Sequence, residues 1–139
     1  MTLSTILIGN EGLTAECGKL WLDRGHALTA VVTRDPRVAD WAAGRGLPVH
    51  APGAGLEARL GAVTADWILS VANLSLVPAG VLARARLGGV NFHDGPLPGH
   101  GGLNAPVWAI LNGEREYGIT WHLMTAGIDE GDILVARSF

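Results

Sequence analysis

Short apolar runs alternate along this chain with segments whose apolar residues recur at helical spacing. Residues 4–9 are rich in β-forming side chains and end at glycine, and residues 13–24 follow with an apolar helical face. Residues 27–33 then predict a strand, 37–45 a helix, 48–50 a short strand and 56–62 a further helical piece. Residues 66–71 carry the continuous apolar character of a central strand covered on both faces. A short helix at 79–85 and a strand at 89–93 continue the alternation. After that the rhythm changes. Residues 94–103 are a loop rich in Gly and Pro, 105–111 are helical, and 118–124 and 132–136 read as strands joined by a turn.

Alternating strand and helix patterns make parallel pairing the natural outcome, and the last two strands read as an antiparallel pair. The fold class expected is therefore α/β: a Rossmann-like, open, mostly parallel sheet with helices on both faces and an antiparallel C-terminal strand pair. No repeat, low-complexity tract or linker interrupts the 139 residues, which suit a single domain over 1–139. The sequence stops directly after a strand with no closing helix, so the domain is expected to be incomplete at its C-terminus.

Composition narrows the function classes. The formal charge of −3 comes from scattered acids and bases with no basic block, which excludes a charge-driven nucleic-acid role. Every apolar stretch is broken well short of membrane-spanning length, so no membrane partner is expected. Cys17 is the one cysteine, so neither an internal disulfide nor a cysteine metal site can form. No metal is expected, and a reducing cytoplasm fits best.

Three places can carry chemistry. The turn Gly9-Asn10-Glu11-Gly12 stands where dinucleotide folds seat a pyrophosphate on a helix N-terminus, but it lacks the G-x-G-x-x-G spacing and offers Glu11 where phosphate would lie. Asp35, the acid after the second strand, proves little alone, and an ordinary βα turn is the simpler reading. The second place is Val90-Asn91-Phe92-His93-Asp94-Gly95-Pro96-Leu97-Pro98. Spacing i, i+2 puts Asn91 and His93 on one face of a strand, at the carboxyl end where open α/β sheets bind their ligands. Two polar groups interrupting an apolar strand on one side would be costly if buried without partners, which favours function over a simple strand cap. The third is the turn from Ala126 through Asp129 to Asp132, which alone reads as a local Asx turn with Glu130 and Asp132 solvated.

Together these residues resemble a known family. Asn91-Phe92-His93, Leu97-Pro98, Pro106 through Gly113, Gly118 through Met124 and Ile128 through Leu134 follow the order and spacing of the formyltransferase N-terminal domain. That domain is shared by methionyl-tRNA formyltransferase, glycinamide ribonucleotide transformylase and the formylation domains of some peptide synthetases. The resemblance is specific over residues 88–136 and rests on the alternating pattern alone over 1–87. Where the family often has Pro-Ser-Leu-Leu-Pro after its histidine, this chain has Asp94-Gly95-Pro96-Leu97-Pro98.

The resemblance implies a catalytic domain that moves a formyl group from 10-formyltetrahydrofolate, the co-substrate, onto an amine. Its Asn, His and Asp fall on Asn91, His93 and Asp129. Asn91 would donate to the developing oxyanion, His93 would act as donor or as base, and Asp129 would orient His93. The folate is expected against Leu74, Ser75 and Leu76 and the backbone of residues 125–129, including Thr125 and Gly127, although core packing explains Leu74 and Leu76 equally well. His122 matches a family position, yet a satisfied core histidine is the simpler account. His26, His50 and His100 carry no signal, and the five tryptophans read as packing residues. The expected acceptor is a small amino metabolite, an amino sugar or an aminoacyl group on a carrier protein, with adjoining synthetase domains as partners. A formyltetrahydrofolate hydrolase, an inactive docking domain and a nicotinamide oxidoreductase stay open as alternatives.

Overall fold

The computed structural model describes residues 1–125 and 127–139, which form two compact units, Met1–Gly89 and Val90–Phe139. The first unit holds β1 (Ser4–Ile8), α1 (Gly12–Asp23), β2 (Ala27–Val32), α2 (Pro36–Gly44), β3 (Val49–His50), α3 (Leu56–Leu60), β4 (Ala65–Ser70) and the one-turn α4 (Ala79–Leu82). The strand β5 (Ala85–His93) then runs across the boundary into the second unit, which adds α5 (Ala105–Leu111), β6 (Gly118–Leu123) and β7 (Ile133–Ser138).

In the first unit the strands lie in the order β3-β2-β1-β4, and every pair is parallel. The apolar residues of β1 serve two faces, as strand alternation requires. Ile6 and Ile8 join Ala30, Val32, Ile68, Leu56 and Leu60 of α3 and Val81 of α4 in one buried cluster. Each large aliphatic side chain so buried contributes about 1.5–3 kcal/mol by the apolar area it removes from water. Leu7 points the other way, toward α1 and α2. A Cβ on Gly18 of α1 would lie 2.8 Å from Leu7 Cδ2 and 2.5 Å from the Trp41 ring of α2, so glycine there is what lets the two helices approach. Helices therefore cover both faces of this sheet. Asp66 ties its strands together at one end, accepting from Ser4 N–H at 2.9 Å and pairing with Arg86 at 2.8 Å.

In the second unit β6 is antiparallel to both β5 and β7. The loop after β5 is anchored by two side chains from β6 and its approach. Buried Thr120 accepts from Leu97 N–H at 3.1 Å and donates to Gly95 O at 2.8 Å, and the Tyr117 hydroxyl donates to Asp94 O at 2.7 Å. Burial first, then the charges of Asp94 and Glu114, holds the Tyr117 phenol above its usual range, so it stays a donor. The Leu97–Pro98 peptide is cis. Among the described residues no helix is long and apolar enough to cross a membrane.

The strand and helix order is the one the apolar rhythm predicts, and the largest displacement of boundaries lies between α4 and β5. The helix expected to 85 ends at Leu82, and β5 starts at Ala85 rather than 89. Arg84 explains the early end: its guanidinium donates to the carbonyls of Glu57, Gly61 and Val63, which draws the chain out of the helix. Trp108 departs from the packing role read for the tryptophans. Only Ala105 and Ala109 of α5 are buried, while Val107, Trp108, Ile110 and Leu111 are exposed.

Candidate active site

The antiparallel register of β5 and β6 sets which side chains share a face. Asn91 stands opposite His122, His93 opposite Thr120, and Phe92 opposite Trp121. Because neighbours along a strand alternate, Asn91, His93, Thr120 and His122 fall on one side and the Phe92–Trp121 aromatic pair, 5.2 Å between centroids, on the other. The face expected for Asn91 and His93 is thus the one observed.

His93 is 6% exposed. Its Nδ1 lies 3.6 Å from Oδ2 of Asp129, and its Nε2 donates to the carbonyl of His100 in the loop that follows β5. Asp129 belongs to the turn between β6 and β7 and has φ +53°, a conformation that Asp tolerates better than most residues. Its Oδ2 accepts from Gly102 N–H at 2.8 Å, and its Oδ1 stands 3.4 Å from His122 Nε2. His122 is 3% exposed, and its Nδ1 donates to Leu123 O at 2.9 Å. The Asn91 Nδ2 lies 3.2 Å from His122 Nε2. The structure therefore brings Asn91, His93 and Asp129 together and places His122 beside them, with its Nε2 facing both Asn91 and Asp129.

His100, which carried no signal in the sequence, takes part through its carbonyl; its ring pairs with Glu114 at 2.8 Å and meets Tyr117 edge-on at 5.6 Å. Gly102 contributes through its N–H. Main-chain atoms leave no residue-type signature, so neither could have been read from composition.

Leu74, Ser75 and Leu76 belong to the first unit, in the loop after β4. Asn73 shapes that loop by donating to Ser75 O at 2.8 Å and accepting from Ser75 N–H at 3.1 Å, and Arg34 donates to the Ser75 hydroxyl at 2.9 Å. Leu74 and Leu76 are 77% and 75% exposed, which removes core packing as their explanation. In the second unit the Thr125 hydroxyl accepts from Gly127 N–H at 3.2 Å; Ala126, part of the backbone expected at the folate, lies outside the described residues.

At the first turn, Gly9 is packed rather than open, and Glu11 is the exposed residue preceding α1. Asp35 caps α2 by accepting from Arg37 N–H at 2.8 Å, and hydrogen bonding to Arg37 holds its carboxyl below the usual range. Arg37 in turn is held more firmly charged by Asp35, with a smaller contribution from Glu11.

The formyl transferase family model matches residues 50–139, which spans the whole of the gathered site. The chain belongs to the formyl transferase family. Among curated relatives, a methionyl-tRNA formyltransferase of Geobacter metallireducens is 32% identical over a stretch covering 98% of this chain and 49% of that protein. The chain spans about half the length of the curated relatives it matches. Among solved structures, glycinamide ribonucleotide transformylase 1 from Symbiobacterium toebii superposes with a TM-score of 0.83 at 22% identity, covering 99% of this chain and 73% of that one. HypX from Aquifex aeolicus, in complex with tetrahydrofolic acid, does so with a TM-score of 0.76 at 20% identity, covering 100% and 22%. These structures share the Rossmann-like formyl transferase fold.

Proposed function

We propose that this chain transfers a formyl group from 10-formyltetrahydrofolate to an amine, with Asn91, His93 and Asp129 as its catalytic residues. The observation that carries the reading is Asp129 facing the His93 ring at 3.6 Å, on the face that also presents Asn91 at the end of β5. Family membership supports the reaction, and the tetrahydrofolate in the HypX structure supports the donor.

In formyl transfer the amine nitrogen attacks the formyl carbon, the bond from that carbon to the folate nitrogen breaks, and one proton passes from the amine to the leaving nitrogen. Negative charge builds on the formyl oxygen between these events. Asn91 donates an N–H to that oxygen, a contact whose removal costs on the order of 10²–10³-fold in rate in other enzymes. The Nε2 of His93 donates to the His100 carbonyl and its Nδ1 faces Asp129. For His93 to act on the formyl oxygen or the attacking amine, substrate takes the place of the His100 carbonyl at Nε2, while Asp129 at Nδ1 orients the ring and takes part in proton passage through water. In the first unit the exposed Leu74 and Leu76 flanking the fixed Ser75 offer an apolar surface with a fixed polar group, as a pterin and its benzoyl arm need, and the family resemblance assigns Thr125 and Gly127 to the folate as well.

The acceptor is an amine with no phosphate beside the first βα turn: a small amino metabolite, an amino sugar or an aminoacyl group on a carrier protein. Glu11 before the α1 N-terminus supports this, because its charge opposes an anion there. The lone half-buried Cys17, whose thiol is pushed up by burial, suits a reducing cytoplasm. The test is to supply 10-formyltetrahydrofolate with glycinamide ribonucleotide, a free amino acid, an amino sugar nucleotide and a loaded carrier protein, and to compare second-order rates. Transfer to one of the last three is expected. Glycinamide ribonucleotide as best acceptor would overturn the reading of Glu11, and formate release without transfer would make the chain a hydrolase.

A further inference from the structure

Building on the transfer chemistry just described, we infer that His122 is a positioning residue that fixes the orientation of the Asn91 amide. An asparagine amide has two flipped states of nearly the same shape. One presents N–H to the developing oxyanion, and the other presents a carbonyl oxygen that repels it. Something must choose between them. The antiparallel register puts His122 directly opposite Asn91. Its Nδ1 lies 2.9 Å from the Leu123 carbonyl, which only accepts, so the ring hydrogen is on Nδ1. Nε2 is then a lone pair, and the group 3.2 Å away is Nδ2 of Asn91, which only donates. The contact is a hydrogen bond in this orientation of the amide and a clash of two acceptors in the other.

One Asn91 N–H is thereby held by the ring, leaving the second free for substrate. The Asp129 Oδ1 is farther from the same Nε2, at 3.4 Å, and that carboxylate accepts from Gly102 N–H at 2.8 Å, so the shorter Asn91 contact is the one assigned to the Nε2 lone pair. Burial supports the arrangement from the ring's side, since His122 is 3% exposed and its Nε2 is sheltered from water as an alternative partner. A histidine serving only to fill the core would account for the Nδ1 bond but not for this second one.

The experiment makes His122→Leu and His122→Gln in the complete protein, each alone and combined with Asn91→Ala. Leucine keeps bulk and removes the acceptor, whereas the Gln carbonyl restores one. Expected is a kcat loss of about 10- to 100-fold for His122→Leu with KM for the folate donor little changed, below the ~10²–10³-fold cost of losing the donor itself. His122→Gln should retain several times the turnover of His122→Leu. In the Asn91→Ala background, His122→Leu should cost less than about threefold more, because the two act as one unit. Additive losses, or a loss that vanishes only when Asp129 is also replaced, would overturn the proposal. The ¹⁵N signals of the His122 ring test the contact without reference to activity. An unprotonated, hydrogen-bonded Nε2 supports it, and a hydrogen on Nε2 overturns it, even if the wild-type protein transfers no formyl group or His122→Leu fails to fold.

Discussion

Gly102 donates its main-chain N–H to the Asp129 carboxylate at 2.8 Å, joining the loop after β5 to the turn between β6 and β7. The bond does two things at once. It fixes the height of the carboxylate beside His93 and His122, and it closes the loop whose His100 carbonyl meets His93. Asp129 is thus a structural link and, in the proposed mechanism, the charge beside His93, and the two roles can be separated by substitution.

Asp129→Asn keeps an oxygen acceptor for Gly102 and a side chain that tolerates φ +53°, but removes the charge facing His93. Formyl transfer should fall by about 10²–10⁴-fold, as for neutralised carboxylates in comparable triads, with stability changed by less than about 1 kcal/mol. Asp129→Ala removes both the acceptor and the tolerance of positive φ, so it should lose activity and melt earlier. Turnover and denaturation midpoints of both variants decide the matter; near-normal turnover in Asp129→Asn would remove Asp129 from the mechanism.

Asp66 makes a separate, acid-sensitive contribution to stability. The Ser4 N–H first, and then the Arg86 guanidinium, hold its carboxyl below the ordinary aspartate range. A carboxyl depressed in the folded state stabilises the fold above its unfolded value, about 3.9, and this contribution disappears as pH falls through the lower folded value. The difference in urea midpoint between wild type and Asp66→Asn should therefore be largest near neutrality and shrink below about pH 4. A difference that stays constant from neutrality to acid would show that the bonds, and not the charge, matter.

How much of this was legible in the sequence depends on what kind of atom carries the information. Strands and helices announced themselves through side-chain periodicity, and Asn91 and His93 did so as polar breaks in an apolar strand. His122 did not, because its meeting with Asn91 depends on the β5–β6 register, where a slip of one residue turns every side chain to the other face. Asp129 was legible through family resemblance; by itself an Asp before a Glu and a Gly reads as a turn. The roles of the His100 carbonyl and the Gly102 N–H belong to the backbone, which every residue type shares. Trp108 misled for the opposite reason: a large apolar residue at helical spacing normally marks a buried face, and on α5 the buried face is made by Ala105 and Ala109.

The first glycine turn offers a test of whether a familiar position serves packing or ligand. A Cβ on Gly9 would lie 1.9 Å from the Val71 carbonyl oxygen and 2.2 Å from Thr14 Oγ1. Neither neighbour is free to give way. Thr14 is fully buried and donates to Val71 O at 2.8 Å, Val71 N–H bonds Ile8 O at 2.8 Å, and Gly9 N–H bonds Val32 O at 3.0 Å. The turn is therefore clamped between β1, β2, the end of β4 and α1, and Gly9→Ala must displace main chain. Overpacking of this kind costs about 1–3 kcal/mol or somewhat more, so the urea midpoint should fall clearly. Gly12, three residues on, starts α1, and a Cβ there would meet no atom within 4 Å. Gly12→Ala should leave stability unchanged or raise it by up to about 1 kcal/mol, since alanine is the better helix former. Equal midpoints for the two variants would mean that the close approach at Gly9 relaxes easily, and that packing is not the reason glycine stands there.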